Sequence, residues 1–196
     1  MLYGDRIFGK GFWIAEIAKG TFMAQERIKA YKIVSYQFLT FVRMAFSSDS
    51  GAPLSRVLEN FQQRSLPIRF LATDVSSQGE LELNLGVDLL SEEMVDEVIE
   101  QLESMQNRND LSVISQVSMA LVYGPHFGEV PGIASLALST LSSAGITILA
   151  TSASASSLSC LFPAMQFKAA LETFHAIFEP PQENLYWRDN HAEVLR

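Results

Sequence analysis

An intramolecular disulfide is out of reach for this chain, because Cys160 is its only cysteine. A lone cysteine fits a reducing compartment, and a cytoplasmic protein is the expectation. Catalytic signatures are missing too. No G-x-S-x-G, phosphate loop or paired-carboxylate arrangement occurs. His126, His175 and His191 have no metal-ligand spacing. No catalytic residue, metal or cofactor is expected, and the chain reads as a non-enzyme. The N-terminus lacks the continuous apolar core of a signal peptide. Charge is absent from Val130 to Phe167, a length that raises the question of a membrane span. Pro131, Gly132, Gly145, Pro163 and serines at 152, 154, 156, 157 and 159 interrupt that run. No window in it is continuously apolar for a span's length, so protein interior is the expectation.

What is present is globular in character: 196 residues, 48% hydrophobic and 18% charged, enough for one large domain or two small ones. The net charge of −8 argues against nucleic acid or an anionic membrane as the main partner. Residues 1–32 differ from the rest. Arg6, Lys10, Lys19, Arg27, Lys29 and Lys32 face only Asp5, Glu16 and Glu26, a local +3 that leaves −11 for the remainder. With Phe8, Phe12, Trp13 and Phe22 interleaved, this segment reads as a basic, aromatic arm that packs in a dimer or docks on an acidic surface.

Two segments then show the same order of signals. In the first, 36–46 is an aromatic and aliphatic strand, followed by a loop and a helical stripe of Leu54, Val57, Leu58 and Phe61. Residues 66–76 form a second strand, Gln78-Gly79 a turn, and the alternation Leu81, Leu83, Leu85, Val87 a half-buried strand. Ser91 caps a helix with Glu92 and Glu93 at its positive end, and LSVIS (111–115) returns as a short strand. The acidic face Glu92, Glu93, Asp96, Glu97, Glu100 and Glu103 needs no role beyond solvation.

In the second segment VSMALVYG (117–124) is a strand and PHFGEV a loop, with Pro131 in the first helical turn. The stripe Ile133, Leu136, Ala137, Leu141, Ala144 follows, and Gly145 ends the helix. ITILATS and SSLSCLF are two strands around a small-residue turn, the second burying Cys160. Pro163 opens a last helix bearing Phe167, Leu171, Phe174 and Phe178. Leu185 to Trp187 is a candidate closing strand. Strand-helix-strand-strand-helix-strand, twice over, predicts an α+β class: two ferredoxin-like βαββαβ sandwiches in tandem. The expected division is an arm at 1–32, a first unit at 33–115, a second at 116–187 and a tail at 188–196.

YGPHFGEVPGIA, SSAGITI and ATSASASSLSCLF, running without a gap from Tyr123 to Phe162, resemble the ACT domain in the tandem form found in the regulatory region of aspartokinases. These 196 residues carry no counterpart of the kinase domain. The resemblance implies allosteric control by a small effector, an amino acid being the expected ligand, bound where ACT units meet against the loop before the first helix. It places candidate ligand-binding residues at Ser48, Asp49, Ser50 and Gly51 in the first unit. In the second unit they are Phe127, Gly128, Glu129, Val130, Gly132 and Ile133. A helix N-terminus offers free N–H groups to a ligand carboxylate, which is the physical counterpart of that implication.

The sequence also departs from the family's pattern. Pro67-Ile68-Arg69 and Thr73-Asp74 stand at positions the resemblance would give to threonine or lysine recognition, and Ala155 replaces a glutamate. Those changes favour a competing reading, an adaptor whose ACT units serve only for association. Each sharp reading also has a plain one. Pro131-Gly132 taken alone is an ordinary helix start, and Asp49 taken alone is an N-cap or turn residue. The outer face of the uncharged helix, Ser135, Leu138, Ser139, Ser142 and Ser143, invites close packing by the other unit or by a second subunit. A homodimer with a small-molecule effector and a protein partner is the expected assembly.

Overall fold

Two long strands run through the whole molecule and organise everything else. A computed structural model describes residues 27–47, 52–77, 79–88, 92–105, 111–125, 127–128 and 131–180. Residues 1–26 of the arm, the first loop at 48–51, the expected cap Ser91 and the tail, including Leu185 to Trp187, lie outside the described residues. After β1 (Ile28–Lys29) come β2 (Lys32–Ser47), α1 (Ala52–Gln63), β3 (Ile68–Val75), β4 (Glu80–Val87) and α2 (Glu92–Met105). Then follow β5 (Leu111–Tyr123), α3 (Ile133–Ser143), β6 (Ala150–Ala153) and β7 (Ser157–Pro163). A 3-10 turn (Ala164–Gln166), α4 (Phe167–Ile177) and β8 (Phe178–Glu179) complete the order.

Six strands join as β3-β4-β2-β5-β7-β6, and the pairs within that sheet are antiparallel. LSVIS and VSMALVYG, expected as two strands, are the two halves of β5. The single left-handed residue between them, Gln116 at φ 59, does not break the ladder. β2 is likewise continuous through Phe38, also at φ 59. The β2–β5 register shifts on either side of Leu39, so the two strands carry compensating bulges where the two units meet.

Each unit has the ferredoxin-like sheet order. In the first, β4 and β3 lie on one side of β2, and the start of β5 on the other. In the second, β7 and β6 lie on one side of β5. The place of the fourth strand is taken by residues 32–36, paired with Tyr123 back to Met119. A strand that precedes the first unit in sequence thus completes the second. Among the described residues, the segment after α4 does not enter this sheet; β8 pairs in parallel with β1 instead.

Apolar periodicity explains the packing. Val57 and Phe61 of α1 pack with Val42, Met44, Phe46, Leu83, Leu85 and Val87 in one core. In the other, α3 and α4 cover Ala120, Val122, Leu158, Cys160 and Phe162. Alternation sends the intervening residues to the helix-free faces. There Leu39, Phe41 and Phe70 of the first unit meet Val117, Met119 and Leu161 of the second in a third cluster. Gly86 shows how close the faces come. A Cβ on it would lie 3.0 Å from Phe70 Cβ and 3.4 Å from a Leu161 methyl. β4 and β7 are three steps apart in the sheet, about 14 Å if it were flat. The sheet therefore folds over on itself, with helices outside and helix-free faces inside.

Helix ends differ in detail from expectation. α3 starts at Ile133, so Pro131 lies ahead of the Gly132 cap rather than inside the first turn. α4 starts at Phe167 after the 3-10 turn, not at Pro163, and Phe178 lies beyond it in extended conformation. Phe178 is nonetheless fully buried.

Candidate functional site

The second loop leaves β5 at Gly124 and reaches α3 at Gly132. Its anchor is the β6–β7 turn, which is tied by one serine. Ser154 Oγ accepts the Ser157 and Ser156 N–H groups (3.0 and 3.3 Å) and lies 2.8 Å from Ser157 Oγ. Serines in this segment thus build a turn. Onto that turn the loop docks by two backbone bonds: Gly124 N–H to Ser156 O at 2.9 Å and Gly128 N–H to Ala155 O at 2.7 Å. Gly128 is needed because a Cβ there would come 2.9 Å from Ala155 Cα.

Phe127 turns inward from this loop. Its ring covers Gly124, where no side chain would fit beneath it, and meets Phe178 with centroids 5.5 Å apart. Phe178 in turn stacks near Phe174 at 5.9 Å. Gly132 has φ 91, caps α3 without a side-chain hydrogen bond, and has no heavy atom within 4 Å of where its Cβ would be. Left-handed backbone favours glycine here, and a branched residue would be strained. Pro131 and Gly132 are exposed, whereas Ile133 is buried and anchors the helix in the core. The first turn of α3 carries no acidic side chain. Among the described residues no side chain caps this end, which carries the positive pole of the dipole.

Of the sequence-derived site residues, Phe127, Gly128, Gly132 and Ile133 are described. Phe127 and Ile133 face the interior, Gly128 the β6–β7 turn, and Gly132 solvent. Ser48, Asp49, Ser50, Gly51, Glu129 and Val130 lie outside the described residues. The outer face of α3 is not covered by the first unit: Ser135, Ser139, Ser142 and Ser143 are all exposed.

At the unit junction, Arg69 occupies a bulge in β3, where Ile68 pairs Val87 and Phe70 pairs Gly86. The bulge re-aims its side chain. One guanidinium nitrogen donates to Asp88 Oδ2 at 3.2 Å, and Cζ sits 5.0 Å from the Tyr36 ring centroid. Tyr36 belongs to the part of β2 that completes the second unit, so this cation–π contact spans both. Its three members are 19 to 52 residues apart in sequence, and no local pattern joins them.

Among the described residues two titrations are displaced. Burial pushes the Cys160 thiol up, opposed in part by Thr151, whose Oγ1 lies 3.6 Å from its sulfur. Desolvation, then the Arg27 guanidinium, lowers His175. A protonated, buried thiol is a poor nucleophile. Cys160 is core.

The ACT-domain family profile matches residues 112–176. No curated protein sequence is significantly similar to the chain. Among solved structures, the ligand-free regulatory subunit of aspartate kinase from Thermus thermophilus superposes with a TM-score of 0.62 at 16% identity, covering 76% of this chain and 99% of that one. The Thermus flavus regulatory subunit gives 0.60 at 15%, covering 74% and 96%. Clostridium acetobutylicum aspartate kinase gives 0.65 at 13%, covering 80% of this chain but only 37% of the enzyme. The likeness is one of fold. The chain carries an ACT domain at residues 112–176, set in a tandem fold of the aspartate-kinase regulatory-subunit type.

Proposed function

We propose that this chain is a regulatory module that binds an amino acid at the loop between β5 and α3 and acts on a protein partner. The observation that supports it is the N-terminus of α3. It is exposed, capped by left-handed Gly132 without a side-chain acceptor, and free of acidic residues in its first turn. A carboxylate placed there would accept the first-turn N–H groups, which no described side chain caps, and meet the positive dipole end. Phe127, Gly128, Glu129, Val130 and Ile133 complete this site, and Ser48 to Gly51 form its counterpart in the first unit. Binding that contacts two units favours one relative arrangement and so carries a signal. The exposed serine face of α3 is where a second subunit packs, giving a homodimer that works in the cytoplasm and binds no nucleic acid.

One observation favours the competing adaptor reading. At the junction, Arg69 is already engaged by Asp88 and Tyr36, which leaves the chain's own groups where an effector would be held. The deciding experiment is a thermal-shift screen against the twenty amino acids. A specific rise of a few degrees, abolished by Gly132→Val in a variant that remains folded, supports the sensor. No shift with any amino acid, in a protein that is a stable dimer by analytical ultracentrifugation, supports the adaptor.

A further inference from the structure

We infer that the β5–α3 loop is mechanically coupled to the β1/β8 pair, where the described chain enters and leaves the fold, through the ring of Phe178. The coupling concerns the same loop as the proposed ligand site and gives that reading its output. Phe178 has two partners that respond to different parts of the molecule. Its ring lies between Phe127 of the loop and Phe174 of α4, at 5.5 and 5.9 Å, and is fully buried. Its backbone is strand β8, in parallel register with Ile28.

A small clamp holds the strands around it. Ala30 N–H donates to Glu179 O at 3.0 Å. Arg27 donates to the Glu179 carboxylate at 2.9 Å and to His175 O, at the end of α4, at 3.3 Å. β1 and β8 are two residues each, and so short a pair is stable only through its neighbours. Of its four residues only Phe178 is buried, and the Phe127 ring lies against it with centroids 5.5 Å apart. The loop itself is held to the β6–β7 turn by two backbone bonds. Short strand pairs and loops held by few bonds open locally at lower cost than central strands, so a modest change in packing shifts their equilibrium.

A ligand that moves Phe127 uncovers Phe178 and loosens β8, and with it the grip on residues 27–30. Loosening the clamp must, by linkage, free the loop. Arg27 and Lys29 belong to the basic segment 1–32, whose described end is thus held by this pair.

Amide hydrogen exchange on the full 196-residue chain tests the coupling without any ligand. In Phe127→Leu, the Ala30 amide should exchange about five- to tenfold faster, since aromatic pair contacts are worth about a kcal/mol. The amides of Leu121 and Val122 in central β5 should stay as protected as before, which also certifies that the variant is folded. In the reciprocal variant, Arg27→Ala with Glu179→Gln, both at exposed positions, the Gly124 and Gly128 amides should speed up. Unchanged exchange at Ala30 in the first variant, or at both glycines in the second, overturns the coupling. With an amino acid that raises the melting temperature, Gly128 and Ala30 should change protection together. A change at Gly128 alone overturns the coupling and leaves binding intact. If no amino acid binds, the ligand reading fails, and the coupling stands or falls on the ligand-free exchange.

Discussion

Single residues in this molecule are set by what they cannot do. Cys160 is a poor nucleophile while its thiol is buried and protonated, and a side chain on Gly86 would crowd Phe70 Cβ at 3.0 Å where the sheet folds over on itself. His175 cannot take up a proton readily, because it is partly desolvated and Arg27 lies beside it. Its folded value is below the ordinary one, so the unfolded chain binds more protons across the interval between them. Stability is therefore full above the ordinary imidazole range, begins to fall as pH drops through about 6.5, and stops falling below the folded value. Urea midpoints measured between pH 7.5 and 5 should show this loss, and His175→Gln should remove its part of the slope. A slope unchanged by that substitution would place the proton uptake on other groups.

At the scale of elements, the two long strands carry the message. β2 and β5 cross from one unit to the other only by putting Phe38 and Gln116 into the left-handed region. Neither is glycine, and β-branched residues fit that region least well. Gln116 is exposed, so replacing it changes the backbone preference and little else. Gln116→Val should cost about 1–2 kcal/mol relative to Gln116→Gly, read from denaturant midpoints. Equal stability of the two would show that the bulge relaxes without penalty. The sequence marks this place only weakly. LSVIS and VSMALVYG read as separate strands because a polar stretch, Ser115-Gln116, lies between them. Whether such a stretch turns the chain or bulges is decided by the partner strand. The stripes of α1 and α3 needed less context: Val57, Phe61, Ile133, Ala137 and Leu141 are buried as their spacing predicts, Leu54, Leu58 and Leu136 are half-buried, and only Ala144, past the end of α3, is exposed. Pro163 misled in one respect, since it ends β7 and a 3-10 turn intervenes before α4.

For the whole molecule, shared strands and a shared inner cluster make the two units one cooperative body. The third apolar cluster draws on both, and the second unit borrows residues 32–36 from ahead of the first. A defect in one unit should therefore be felt in the other. Phe61→Ala, in the core of the first unit, should lower the global unfolding free energy by about 3–5 kcal/mol. Exchange of the Leu158 and Cys160 amides in β7 should accelerate by the same free energy. If β7 keeps its protection while α1 loses its own, the units unfold independently and this account is wrong.

The sequence by itself determined the order of the helices and of most strands between them, the faces of α1 and α3, and the ACT-like second unit, but not the fusion of LSVIS with VSMALVYG or the short pair β1 and β8. Those follow from local periodicity, glycine and proline placement, and one contiguous motif from Tyr123 to Phe162. It also brought Phe127, Gly128, Gly132 and Ile133 forward, because they are neighbours in the chain. Only the tertiary structure decided which strand completes the second unit and that the helix-free faces meet around Leu161 and Gly86. It alone joined Arg69 to Tyr36 and Asp88, and Phe127 to Phe178. Those contacts link residues 19 to 75 or more positions apart. Their partners are chosen by the bending of a six-stranded sheet, a property no local run of residues contains.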